Sequence, residues 1–370
     1  MSEAETGESL VSDPIYEPRS LRHLRSAVKT SLVAGVFLMS VVKFEPAPVD
    51  ILSGLAIVGF IACTATAGEI HRLGGRLKSL KGVLVPLTVF LLLNVLSLAW
   101  TPDRSSSVRF LSITLYLAAF FAVLVSLEWD IRWLRWLEIA FLASMVFTAI
   151  AFFFPATSWR VDYPRYYGWF KDPNLLAAYL VPPFAIGLLM VTDRRVLVWQ
   201  RALLVLGILW IIRVFSLTMS RGALINLAVV LALVAFRLRS EPKRLLVLLA
   251  WFGVPAGLAL ATGTGMSFIQ TMVSRFLHSE SSDMPRINTM KAAWQVIRTS
   301  PFFGVGTGAY EAAAALKRDP GWQFFAPAAH NTYLRILVEQ GIVGLSFFVW
   351  FLVALWREAV AIWLPTGRPA

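Results

Sequence analysis

The chain has 370 residues, 57% of them hydrophobic and 15% charged, with a mean hydropathy of +0.67. A soluble domain carries about 25% charged residues, so this composition excludes an ordinary soluble globule and indicates a membrane protein. The net charge of +12 does not indicate nucleic acid, because most charges lie in short loops between apolar runs, and the single cysteine, Cys63, excludes an internal disulfide framework or a cysteine metal site.

Residues 1–27 are polar, of mixed charge and without the apolar core of a cleaved signal peptide, so the first apolar run is expected to stay as an anchor. Runs long enough to cross a bilayer follow at about 28–44, 51–68, 83–100, 110–128, 137–156, 174–192, 202–219, 221–237, 245–263 and 332–356. The pattern predicts an all-α polytopic membrane protein of about ten transmembrane helices. Its expected parts are a cytoplasmic tail (1–27), a bundle of about nine spans (28–263), an external helical segment (264–331), and a last span with a short tail (332–370). Arginines and lysines concentrate in alternate loops, among them Arg72, Arg76, Lys78 and Lys81, Arg132 and Arg135, Arg194 and Arg195, and Arg237 to Arg244. The positive-inside rule puts that set in the cytoplasm and the long 264–331 segment outside.

Between spans, residues 160–174 interleave aromatics with charges, a composition that suits an interfacial belt or a sugar-binding rim, with Lys171 and Asn174 as candidate lining residues. The stretch 202–237 is about twice a bilayer span with basic ends, so its middle, Ser220-Arg221-Gly222, must reach the outer surface. Arg213 lies deeper in that hairpin and is expected to face the protein interior, since an unpaired charge in hydrocarbon is costly.

In the external segment, Ile287, Met290, Trp294 and Ile297 recur at helical spacing, predicting an amphipathic helix on or dipping into the membrane surface. Asp283 is its expected cap and Pro285 its expected first-turn residue. Arg286 would then oppose the helix macrodipole unless it and the free N–H groups share an anion; a solvated surface arginine is the alternative. Gly304-Val-Gly-Thr-Gly308 has no preceding strand, which speaks against a nucleotide loop.

The last run opens with His330-Asn-Thr-Tyr-Leu-Arg-Ile-Leu-Val-Glu339. Asn331, Arg335 and Glu339 fall on one helical stripe, with Tyr333 nearby, and His330 lies at the helix mouth. Ionised side chains in a bilayer cost roughly 2.5–3.5 kcal/mol each on insertion scales, so Arg335 and Glu339 need a partner or a task. Arg221, Arg286 and His330 share the outer side. Two arginines suit bidentate capture of a diphosphate, and a histidine suits a general base. The histidines and carboxylates show no metal-ligand spacing, so no metal or cofactor is expected.

Four segments resemble the O-antigen ligase and polymerase superfamily of bacterial membrane glycosyltransferases: Gly168 to Tyr179; Ser220-Arg-Gly-Ala223; Arg286 with Trp294, Pro301, Gly304, Gly306 and Gly308; and His330-Asn-x-Tyr-Leu with Glu339, Gly341 and Gly344. The resemblance implies a GT-C-like fold in the bacterial inner membrane with its active site facing the periplasm. It also implies metal-independent, inverting transfer from an undecaprenyl-diphosphate-linked glycan. By motif position His330 is the catalytic base and Arg221 and Arg286 hold the diphosphate. The expected function is an O-antigen ligase passing the glycan to a lipid A-core or similar acceptor. A polymerase of the same superfamily is the alternative, and an anionic-solute transporter, with Arg213 and the Arg335–Glu339 pair lining a path, is the alternative of another class. The family commonly has further spans after the histidine-bearing helix, whereas this sequence ends at Ala370.

Overall fold

In hydrocarbon every backbone N–H and C=O must be satisfied within its own segment, which drives long apolar runs into helices. The computed structural model describes residues 19–66, 78–159, 165–193, 195–261, 280–317 and 331–363, with isolated positions between 263 and 274 and at 319. The described helices are α1 Arg19–Leu38, α2 Pro48–Thr66, α3 Lys81–Leu96, α4 Arg104–Ser126, α5 Ile131–Ala143, α6 Met145–Phe152 and α7 Pro155–Ser158. They continue with α8 Pro173–Val191, α9 Val198–Thr218, α10 Arg221–Leu238, α11 Pro242–Ala261, α12 Glu280–Thr299, α13 Tyr310–Leu316 and α14 Thr332–Trp363. The chain is an all-α polytopic membrane protein.

Each of the ten apolar runs coincides with a helix, but 7 described segments are long and apolar enough to cross a membrane: α2, α3 with its 3-10 turn, α4, α5–α6, α8, α9 and α14. In α1 the charged first half, with Arg19, Arg22 and Arg25, is part of the helix, which ends at Leu38 rather than near residue 44. The apolar part of α10 is only Ile225–Leu238. Ile51, Leu55, Val58 and Ile61 form an exposed apolar stripe on α2, as a lipid-facing surface requires.

Three buried clusters organise the molecule. One joins α1, α2 and α4 through Val28, Leu32, Ala56 and Val123. The largest binds α8, α9 and α10 around Leu176, Leu180, Ile208, Val214 and Tyr166. The third packs α12 and α13 onto α14 through Ala292, Ala293, Val296, Tyr310 and Val338.

The last membrane helix is broken. Gly341 has φ 63° and ψ −169°, which ends one helical stretch and begins another. The Val305 and Gly306 N–H groups donate to the orphan carbonyls of Val338 (2.9 Å) and Glu339 (2.8 Å). On the other side of the break, the N–H groups of Ile342 and Val343 donate to the carbonyls of Pro301 (2.9 Å) and Phe302 (3.2 Å). Unsatisfied backbone groups are expensive away from water, so the 301–306 segment is what permits the break. A Cβ at Gly304 would sit 2.4 Å from the Glu339 carbonyl carbon, and one at Gly341 would sit 2.2 Å from the Phe302 oxygen. Glycine at both positions therefore follows from backbone meeting backbone. A buried polar network locks the same loop to α3: Thr307 donates from Oγ1 to Asn94 Oδ1 (2.9 Å) and from its N–H to Ser97 Oγ (3.0 Å), while Gln340 donates from Nε2 to Asn94 Oδ1 (3.2 Å).

Candidate active site

Antiparallel packing of α8, α9 and α10 brings the start of α8, the end of α9 and the start of α10 to one end of the bundle. Asp172 caps α8, its Oδ1 accepting from the Asn174 N–H (2.7 Å), with Pro173 at the first helical position. At Met219, left-handed at φ 51°, the chain turns from α9 into α10, so the Ser220-Arg221-Gly222 hairpin turn read from the sequence is present. Arg165 ties the two ends together: its Nε donates to the Thr218 carbonyl (2.8 Å) and its Nη2 to Asn174 Oδ1 (3.0 Å). Behind it, the Tyr166 N–H donates to the Leu217 carbonyl (3.0 Å), and the Tyr166 ring is fully buried with its hydroxyl bonded to the Thr148 carbonyl. That burial pushes the Tyr166 phenol well above its ordinary pKa.

A cavity of about 760 Å³ opens at this end. Its walls are the first turns of α8 (Asp172, Asn174, Leu175, Ala178), of α10 (Ser220, Gly222, Asn226) and of α14 (Asn331, Thr332, Arg335), together with Arg286 and Met290 of α12 and Glu311 of α13. Three helix N-termini therefore meet around one space, each bringing partial positive charge. Two are capped by their own side chains, since Asn331 Oδ1 accepts from the Leu334 N–H (3.1 Å); Ser220, at the head of α10, makes no side-chain cap bond. With the guanidinium groups of Arg286 and Arg335 this is an anion-binding environment.

The Arg335 side chain, 29% exposed, donates from Nε to Glu339 Oε1 at 2.8 Å and lies over the Phe110 ring, 4.0 Å from its centroid. Glu339 is 9% exposed, so the pair satisfies the demand placed on both charges by the membrane. Arg335 Nη2 and the Tyr310 hydroxyl are both buried and lack hydrogen-bond partners among the described residues. Burial pushes the Tyr310 pKa up to about 12, partly opposed by the nearby Arg335 charge.

The predicted site residues sort into groups. Asn174, Asn331, Arg286 and Arg335 line the cavity, with Glu339 one turn behind Arg335. Arg221 is half-buried between two lining residues, Ser220 and Gly222. Lys171 pairs instead with Glu45, holding that carboxyl below its ordinary pKa. Tyr333 is exposed and meets Phe348 edge to face, 6.2 Å between ring centroids. His330 lies outside the described residues.

Two expectations are corrected. Arg213 does not face the interior: it is exposed, about one and a half turns from the end of α9, and its Nη1 donates to Ser216 Oγ (3.5 Å), one turn nearer that end. Asp283 and Pro285 do not begin α12, because the helix already starts at Glu280 and absorbs the one hydrogen bond that proline cannot make. Arg286 is therefore past the first turn and does not share free N–H groups of its own helix. The predicted stripe on α12 also divides. Ile287, Met290 and Trp294 are exposed, while Ile297 joins Ala292, Ala293 and Val296 in the core. Small residues at the buried positions let α12 approach α13 and α14 closely.

Among the polar lining residues, Glu311, Asn226, Asp172 and Thr332 were not predicted as site residues. Asp172 was legible as an acid before Pro173 and an apolar run, a helix-start signature. Nothing in one dimension marks the Arg165 strap or Glu311.

A second cavity, of about 550 Å³, lies between α8, α9, α10 and α11 and is lined by apolar side chains including Phe184, Leu188, Ile212, Leu231 and Phe252. Along α10, Asn226 lines the first cavity and Leu227 the second.

Residues 206–349 match the O-antigen ligase (Wzy_C) family model. The match bears out the superfamily reading over the segment that holds α10, α12, α13 and the start of α14. Gly168 to Tyr179, quoted for the same resemblance, precede the matched region. No curated protein matches the chain.

Proposed function

We propose that this chain is an O-antigen ligase-type glycosyltransferase that moves a glycan from undecaprenyl diphosphate to lipid A-core or a similar acceptor, at the periplasmic face of the bacterial inner membrane. The observation that carries the reading is the convergence of three helix N-termini with Arg286 and Arg335 around one cavity. Such a site is complementary to the charge that builds on a departing diphosphate, and fixed donors there act without reorganisation. The apolar cavity, which shares helices α8 and α10 with the polar one, supports a donor with a hydrocarbon tail. In the reaction the acceptor hydroxyl attacks the anomeric carbon, its proton passes to His330, and the anomeric C–O bond breaks with its electron pair leaving on the diphosphate. A single displacement of this kind inverts the anomeric centre. Arg221, at the α9–α10 turn, and Arg286 hold the diphosphate, with Arg335 a second cation on the wall. Of the residues that a transport path would use, Arg213 is exposed on α9, while Arg335, paired with Glu339, lies on the cavity wall where it serves the anion site equally well.

Transfer in reconstituted membranes tests this, using a polyprenyl-diphosphate glycan with lipid A-core present or omitted. Wild type is expected to glycosylate lipid A-core, Arg286→Ala to lose about 10²–10³-fold in rate, and His330→Ala to be inactive. Activity should also fall as pH drops through the histidine range, near about 6.5. Elongated glycan still on the carrier, with no need for lipid A-core, would identify a polymerase instead. A folded wild type that performs neither reaction would reject the enzyme reading.

A further inference from the structure

Two carboxylates line the polar cavity, Asp172 and Glu311. Asp172 is engaged in capping α8. Glu311, in the first turn of α13, is exposed to the cavity and has no hydrogen bond or ion pair among the described residues. Elsewhere in this region acids are committed: Glu339 to Arg335 and Glu45 to Lys171. An uncommitted carboxylate in a cavity suited to a diphosphate is a conflict unless the two ligands occupy different ends, because like charges repel at close range.

Resting on the transferase reading above, we propose that Glu311 binds the acceptor, accepting hydrogen bonds from hydroxyls of the acceptor sugar. Its chemistry selects a neutral polyol: an ionised carboxylate only accepts, and O–H···O⁻ bonds are short and strong. Repulsion keeps it from the diphosphate. In an inverting displacement the nucleophile approaches from the side opposite the leaving group, which is the acceptor's side. The fixed position of α13, buried through Tyr310, Ala313 and Ala314 against α12 and α14, gives the carboxylate a rigid base. Glu311 is thus an acceptor-positioning residue; the proton is still taken by His330.

The test compares wild type with Glu311→Gln and Glu311→Asp in two measurements. In transfer kinetics, Glu311→Gln should raise the acceptor KM by about tenfold or more, the scale of losing one charged hydrogen bond, with the donor KM unchanged and Glu311→Asp partly restored. In binding without turnover, core oligosaccharide released from lipid A should bind Glu311→Gln more weakly by a similar factor. An unchanged acceptor KM, or a donor KM that rises in step, overturns the proposal while leaving the transferase reading in place. Glu311-dependent sugar binding by a wild type that transfers nothing would keep the sugar site and reject the enzyme.

Discussion

Tyr310 is the residue whose surroundings conflict most with its chemistry. Its side chain is fully buried and its hydroxyl has no hydrogen-bond partner among the described residues. Leaving such a group unsatisfied costs about 1–3 kcal/mol, whereas replacing it by an apolar group of the same shape can be neutral or stabilising. Tyr310→Phe should therefore melt at the same temperature as wild type or higher. The pH dependence has a defined sign. The folded pKa of about 12 lies above the ordinary value of 10.0, so the neutral phenol favours folding below pH 10, and that contribution fades as pH rises toward 12. Relative to Tyr310→Phe, wild type should lose stability across that window. Melting curves of both proteins at neutral and alkaline pH decide it; a clear drop in the Phe variant at neutral pH would mean the hydroxyl has a partner that matters.

Among the elements, α14 departs furthest from what an apolar run implies. The run 332–356 reads as one uninterrupted span, and a glycine inside such a run is ordinarily tolerated. The signal for a break sits some 35 residues upstream, in Gly304-Val-Gly-Thr-Gly308, and only the fold shows that this loop supplies the missing backbone partners. Helix positions were legible because the length of an apolar stretch is a one-dimensional property. The break was not, because it is a pairing between distant backbones. The conformation of Gly341, with positive φ and ψ near 180°, is open essentially to glycine alone and costs other residues about 1–3 kcal/mol before any clash is counted. Gly341→Ala should lower the melting temperature and expose the 301–309 loop to protease. Gly207→Ala in α9, where a Cβ meets nothing within 4 Å, should not. Equal melting temperatures for the two variants would show that the loop does not depend on the break.

For the whole molecule, the cavity unites residues from 172 to 335, although the family match begins at 206. The α8 wall and its Arg165 strap therefore lie outside the matched region; Asn174 was a candidate from the sequence, whereas the strap was reachable only through the α8–α9–α10 packing. The same packing links function to orientation. Lys171 lies in the loop leading into α8 at the cavity end, and Ser240 follows α10 at the opposite end of the bundle. Basic residues crowd the Ser240 side, with Arg237, Arg239, Lys243 and Arg244, so the positive-inside rule predicts that it faces the cytoplasm. If the donor diphosphate is held at the outer leaflet, the Lys171 side must face outward. With buried Cys63 replaced by serine, Lys171→Cys in intact spheroplasts should react with a membrane-impermeant maleimide, and Ser240→Cys should react only after permeabilisation. The reverse pattern would put the cavity in the cytoplasm. No lipid A-core acceptor displayed on the outer leaflet could reach it there, and the proposed transfer would have to be abandoned even if the cavity bound diphosphate well.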